Sequence, residues 1–157
     1  MTRAFLALGS NLGDREAFLR EAVISIDEVD DLVTMSSVWE TEPVGGPDNQ
    51  GPYLNMVVEL DTIRTPHALL ALCHRLEQAA ERVRVVRWGP RTLDVDVLWI
   101  EGVTVADDDL VVPHPRMFDR AFVLAPLEEI APDVVPADWR EAVDASGVWR
   151  RGPLERA

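Results

Sequence analysis

Two carboxylates and a cluster of guanidinium groups stand close together in this chain of 157 residues. Asp94 and Asp96 occur at i and i+2 in Thr92-Leu93-Asp94-Val95-Asp96-Val97-Leu98. On a strand that spacing sends both to one face, with Cα atoms about 7 Å apart, and turns Leu93, Val95 and Val97 toward the core. Aspartate is disfavoured in strands, and like charges on one face repel, so a compensating cation is expected. Mg²⁺, with its preference for carboxylate oxygens and phosphate-bridged sites, suits the pair. A strand with a merely wet face is the plainer reading of the same residues. Just upstream, Arg82, Arg84, Arg87 and Arg91 place four of the fifteen basic residues within ten positions, with no acid among them. Gly89-Pro90 forces a turn, so that Arg87 and Arg91 can fold back over whatever the carboxylates hold. Trp88, in the same stretch, is either part of that site or a core plug.

The chain carries a net charge of −13, and removing those four arginines leaves the remainder at −17. A local cationic loop on an acidic body suits a small polyanion such as a nucleotide triphosphate, whereas an extended nucleic acid would be repelled. Every one of the cations is arginine. The absence of lysine excludes a Walker-A loop, a Schiff-base enzyme and protein-kinase chemistry. Phosphate would be gripped by guanidinium forks instead. The 47% apolar and 27% charged residues are ordinary for a globular protein. No apolar run approaches the roughly 20 residues that span a bilayer, and no signal segment is apparent, so a cytoplasmic location without membrane partners is expected. Cys73, the single cysteine, reads as a small core residue.

The elements that must position these groups follow from periodicity. Ala4–Leu8 reads as a buried strand, ended by Gly9-Ser10-Asn11-Leu12-Gly13. Asp14 caps a helix over Glu16–Val29, whose Phe18, Leu19, Ala22, Val23 and Ile26 fall at helical spacing. Leu32–Thr41 is a second strand, Glu42–Pro52 a Gly/Pro loop, and Leu54–Thr62 a third strand. Thr65-Pro66 opens a second helix that runs to about Arg82, with His67 near its start in solvent. Thr92–Ile100 is the fourth strand, turning at Glu101-Gly102 into Val103–Val105. A helix is expected around Phe122–Ile130, and a Pro-spaced tail closes the chain. The expected class is α+β: one domain over residues 1–157, with a ferredoxin-like βαββαβ antiparallel sheet, both helices on one face and a C-terminal extension.

The run Arg87–Leu98, RWGPRTLDVDVL, resembles the signature of the 6-hydroxymethyl-7,8-dihydropterin pyrophosphokinase family. The similarity extends through Ala7–Asp14, Tyr53-Leu54-Asn55, Glu77 with Arg82-Val83-Arg84, Pro113–Met117 and Arg120–Leu124 to Pro126-Leu127. Only the tail beyond about Pro136 is unassigned. The resemblance implies transfer of the β,γ-diphosphate of ATP to the hydroxymethyl group of the pterin, with AMP leaving. It implies that Asp94 and Asp96 hold two Mg²⁺ ions and that Arg82 and Arg91 clamp the phosphates. Arg84, Arg87 and Trp88 would support ATP from the same loop, with His74, Glu77, Val97, His114 and Arg120 at further ATP-binding positions. Tyr53 and Phe122 would stack on opposite faces of the pterin. Asn55, with Thr41 and backbone groups near Pro43 and Val44, would read its hydrogen-bonding edge.

Three positions depart from the family pattern: Glu81 in place of the common Gly, His74 in place of Gln, and Val111 in place of Thr. None touches the Asp pair. No residue is an obvious general base, so the expected contribution is positioning and charge neutralisation. A non-catalytic pterin- or nucleotide-binding sensor on the same frame is the alternative; it would bind ligand and release no AMP. A monomer is expected.

Overall fold

The computed structural model describes residues 1–11, 13–42, 52–81 and 93–154. Its centre is a six-stranded antiparallel sheet built on strand β1, Thr2–Ser10. β1 alternates: Ala4, Leu6 and Leu8 pack on one face, while Phe5 and the smaller Ala7 pack on the other. Helix α1, Arg15–Val29, starts where the Asp14 carboxylate accepts from Ala17 N at 3.2 Å, the capping contact its sequence expects. It buries Leu19, Ala22, Val23 and Ile26 against the first face.

The expected second strand is two strands. β2, Asp31–Met35, and β3, Val38–Thr41, both pair with β4, Tyr53–Thr62. Met35 faces Val58 and Trp39 faces Asn55, so four steps along one side meet three along the other. The extra residue lies at Ser36-Ser37, where hydrogen bonds are made outside the ladder. Ser36 Oγ accepts from Val57 N at 2.9 Å. Glu129 accepts from Ser37 N at 3.0 Å, Ser37 Oγ at 2.6 Å and Trp39 Nε1 at 3.0 Å. A bulge held from 90 residues away has no local signal beyond two small polar residues.

Helix α2, Pro66–Glu81, lies beside α1, and its Leu69, Leu72, Cys73 and Leu76 complete the first core. Cys73 is fully buried there; burial, with the negative charges of Asp96 and Glu77, pushes its thiol far above the ordinary range, so it is inert. Strand β5, Asp94–Ile100, pairs antiparallel with β1. Gly102, at φ +71°, makes the expected turn, and Val103 N donates to Ile100 O at 3.1 Å. The chain does not return along the main sheet, however. Val105–Ala106 (β6) pairs instead with Val111–Val112 (β7) as a separate two-stranded ribbon.

α1 and α2 thus share one face, as the βαββαβ reading expects. Helix α3, Ala121–Ile130, covers the opposite face of the sheet, packing Val123, Leu124 and Leu127 with Phe5, Val57 and Leu98. Helices therefore lie on both faces. The tail is also structured: a short helix α4, Trp139–Ala142, is followed by strand β8, Val148–Gly152, which pairs with β3. The strand order is β5-β1-β4-β3-β8, with β2 also on β4.

Candidate functional site

Asp94 and Asp96 share the face of β5 that the i, i+2 spacing requires, with Val95 and Val97 buried behind them in the first core. The ladder sets their neighbours. Asp94 stands beside Gly9 of β1, and Gly9 beside Asn55 of β4; Asp96 stands beside Ala7. The two small β1 residues thus leave a floor between the carboxylates and Asn55, about 10 Å across at two strand spacings. Gly9 leaves room for the Asn55 side chain. A Cβ at that position would lie 3.0 Å from Asn55 Oδ1. Asn55 is buried, and its Nδ2 donates to Thr41 Oγ1 at 2.7 Å.

This floor belongs to a cleft of about 980 Å³ whose lining includes Thr41, Tyr53, Asn55 and Phe122 together with Asp94 and Asp96. Phe122 is the second residue of α3, and the guanidinium of Arg120 sits 5.4 Å from its ring centroid. A smaller cleft of about 350 Å³ lies alongside, between α2 and the β6–β7 ribbon, with Leu70, His74, Glu77 and Val111 among its walls. Asp96 and His114 line both clefts.

Two side chains fix this junction. Glu77 Oε2 accepts from Val95 N at 3.0 Å, so the α2 carboxylate holds the β5 backbone between the two aspartates. Glu77 also lines the smaller cleft. His114 N donates to Leu98 O at 2.7 Å, and its Nδ1 accepts from Arg116 N at 3.1 Å, which directs Nε2 as the free ring position. Burial holds the His114 imidazole below its ordinary range; Asp96 pulls it upward, and Arg120 and Arg116 add to the depression.

The expected residues are therefore sorted as follows. Thr41, Tyr53, Asn55 and Phe122 come together in the larger cleft, with Arg120 at its side. His74 and Glu77 line the smaller one, as does the buried Val97. Arg82, Arg84, Arg87, Trp88 and Arg91, and likewise Pro43 and Val44, lie outside the described residues. Residue periodicity missed the floor made by Ala7 and Gly9. It also missed the tail, whose Val143, Asp144, Ser146 and Gly147 form a wall of the larger cleft. Gly147 O accepts from Glu42 N at 3.0 Å, joining that wall to the end of β3. The short apolar pair Val148-Trp149 was the one local sign of a strand.

Residues 5–132 match the family model described as 7,8-dihydro-6-hydroxymethylpterin-pyrophosphokinase (HPPK). The 2-amino-4-hydroxy-6-hydroxymethyldihydropteridine pyrophosphokinase of Methylorubrum extorquens is 48% identical over 157 residues, covering 96% of this chain and 99% of that protein. The protein of the same name from Bacillus subtilis is 44% identical over 152 residues, covering 94% and 90%. Among solved structures, a Plasmodium falciparum HPPK-DHPS triple mutant superposes with a TM-score of 0.65 at 13% identity, covering 88% of this chain and 41% of that chain. That likeness concerns the fold, and this chain spans about two-fifths of the longer Plasmodium one. Among the described residues no helix is long and apolar enough to cross a membrane.

Proposed function

Because the chain belongs to the HPPK family, whose reaction moves pyrophosphate from ATP to 6-hydroxymethyl-7,8-dihydropterin in folate biosynthesis, we propose that its two clefts are the two substrate sites. The larger takes the pterin, the smaller takes ATP, and the group passes between them at Asp96. One observation carries this assignment: Asp96 and His114 border both clefts, so a phosphate held there is within reach of a pterin hydroxymethyl group in the larger one.

The carboxylate pair also fits two magnesium ions. It offers an all-oxygen donor set on one strand face, and among the described residues Asp96 has no cationic partner in an ion pair. Magnesium bound there would neutralise and polarise the phosphate oxygens. The remaining work is done by side chains. Asn55, held by Thr41, reads the pterin edge, and Tyr53 and Phe122 stack on its faces. Neutral His114 offers Nε2–H to a phosphate oxygen, and Arg120 adds positive charge beside it. Arg82 and Arg91 clamp the transferring group, with Arg84, Arg87 and Trp88 supporting ATP, and backbone groups near Pro43 and Val44 complete the pterin edge. The hydroxymethyl oxygen attacks the β-phosphorus and AMP departs, with catalysis supplied by alignment and charge stabilisation.

We read the frame as a ferredoxin-like βαββαβ unit with a C-terminal extension, a single domain over residues 1–157, acting as a cytoplasmic monomer. The test is one incubation with ATP, Mg²⁺ and the hydroxymethyl dihydropterin. Stoichiometric AMP and pterin diphosphate are expected; ligand binding without AMP would make the chain a sensor instead.

A further inference from the structure

One cluster of donor atoms has no part in the reaction. His67, the second residue of α2, places Nε2 at 3.1 Å from Asp107 Oδ2 and 3.4 Å from Asp109 Oδ1. The three ligand atoms lie within 4.8 Å of one another. Two independently fixed elements bring them together. Thr65 Oγ1 accepts from Ala68 N at 3.1 Å and sets the start of α2. The turn between β6 and β7 is closed by Asp107 N donating to Leu110 O at 2.9 Å, and Leu110 and Val112 pin the ribbon to the core.

An ion pair explains half of this arrangement. Nε2 carries at most one proton and can aim it well at one carboxylate. The second carboxylate is then left beside a like charge, with Asp108 adding another. Among the described residues, no arginine forms an ion pair with Asp107 or Asp109. A divalent ion removes the conflict. Ligand atoms about 2.0–2.2 Å from a common centre stand roughly 2.9–3.5 Å apart at neighbouring octahedral or tetrahedral vertices, so both nitrogen–oxygen separations suit a shared ion. One imidazole with two carboxylates is a donor set for zinc and its first-row neighbours; magnesium, which demands oxygen and retains water, matches it poorly. All three side chains are exposed, so water can complete the shell.

We propose that His67, Asp107 and Asp109 form a second cation site, separate from Asp94 and Asp96, that takes a zinc-class dication. The ion ties the β6–β7 turn to the start of α2. Asp109 and Leu110 form one wall of the smaller cleft, and Leu70 and His74 another. Occupancy therefore couples those walls and cancels acidic charge beside them. The consequence for ATP affinity rests on the assignment of that cleft to ATP; the cation site does not.

The full chain, stripped with a chelator, is titrated with zinc chloride by calorimetry in an Asp94→Asn/Asp96→Asn background without nucleotide. One equivalent should bind, and His67→Gln or Asp107→Asn should weaken it roughly tenfold or more. Cobalt(II) should give a visible band that His67→Gln abolishes. Circular dichroism verifies that these exposed substitutions leave the fold intact. Zinc affinity unchanged by both substitutions, or no zinc binding at all, overturns the site. ATP affinity is then measured with and without zinc in protein that retains Asp94 and Asp96, at saturating Mg²⁺. A zinc effect absent from His67→Gln supports the coupling; zinc bound at His67 with ATP affinity unchanged refutes the coupling and leaves the cation site standing.

Discussion

Substituting Gly9 with alanine tests whether the floor of the larger cleft positions Asn55. The new methyl carbon would sit 3.0 Å from Asn55 Oδ1, while its other close neighbours, Tyr53 Cδ1 and Leu54 O, stand at 3.7 and 3.8 Å in ordinary contact. The strain therefore falls on one carboxamide. Asn55 cannot retreat along its backbone, which is paired with Gly9 on one side and Trp39 on the other. It must rotate, and rotation stretches the 2.7 Å bond from Nδ2 to Thr41 Oγ1. Loss of that bond costs about 0.5–1.5 kcal/mol of stability. The shifted group also meets the pterin edge out of line, so pterin affinity should fall about 5- to 10-fold, equivalent to about 1–1.4 kcal/mol, with ATP affinity unchanged. Calorimetry with both ligands measures this, and a double-mutant cycle with Asn55→Ala isolates the cause. Once Asn55 is truncated the methyl meets no oxygen, so the two effects should be strongly less than additive. Wild-type pterin affinity in folded Gly9→Ala, or full additivity with Asn55→Ala, would refute the reasoning.

Asp96→Ala should depress AMP release by about 10³-fold or more while circular dichroism shows a folded protein, since it removes a like-charge contact along with a ligand; near-normal turnover would end the assignment of the junction. Tyr53→Ala and Phe122→Ala should each weaken pterin binding by about 1–3 kcal/mol, the worth of one stacking partner on a planar base, and calorimetry that finds pterin binding unaltered in both would move the pocket elsewhere. In metal-free protein the His114 ring protons should titrate below the ordinary histidine range by NMR, as burial demands. A depressed histidine binds fewer protons folded than unfolded. Its contribution is thus complete above the unfolded value of about 6.5 and lost as pH falls through the window down to the folded one. A His114 midpoint at or above the ordinary value contradicts this.

Much of the chemistry was legible in local pattern. A period of two fixes the common face of Asp94 and Asp96 whatever the fold, because alternation is a property of the strand itself. The Asp14 cap and the apolar stripes of the first two helices are equally local. Which surfaces those stripes meet is settled at long range. Ser36-Ser37 becomes a bulge because Val57 and Glu129 supply partners from two distant elements. α3 takes the far face of the sheet because Phe5, Val57 and Leu98, on three different strands, point the same way. The shift in register between Phe5 and Leu6 lets Val97 and Ile100 share one core while Leu98 enters the other. β8 buries little of its own, with Trp149 40% exposed, and exists as a strand because β3 offers it an edge. The sequence by itself determined which residues carry charge and which face each would take. Tertiary structure decided that Asp96 lies between two clefts and that the tail walls one of them, because those relations depend on hydrogen bonds between segments that share no local signal.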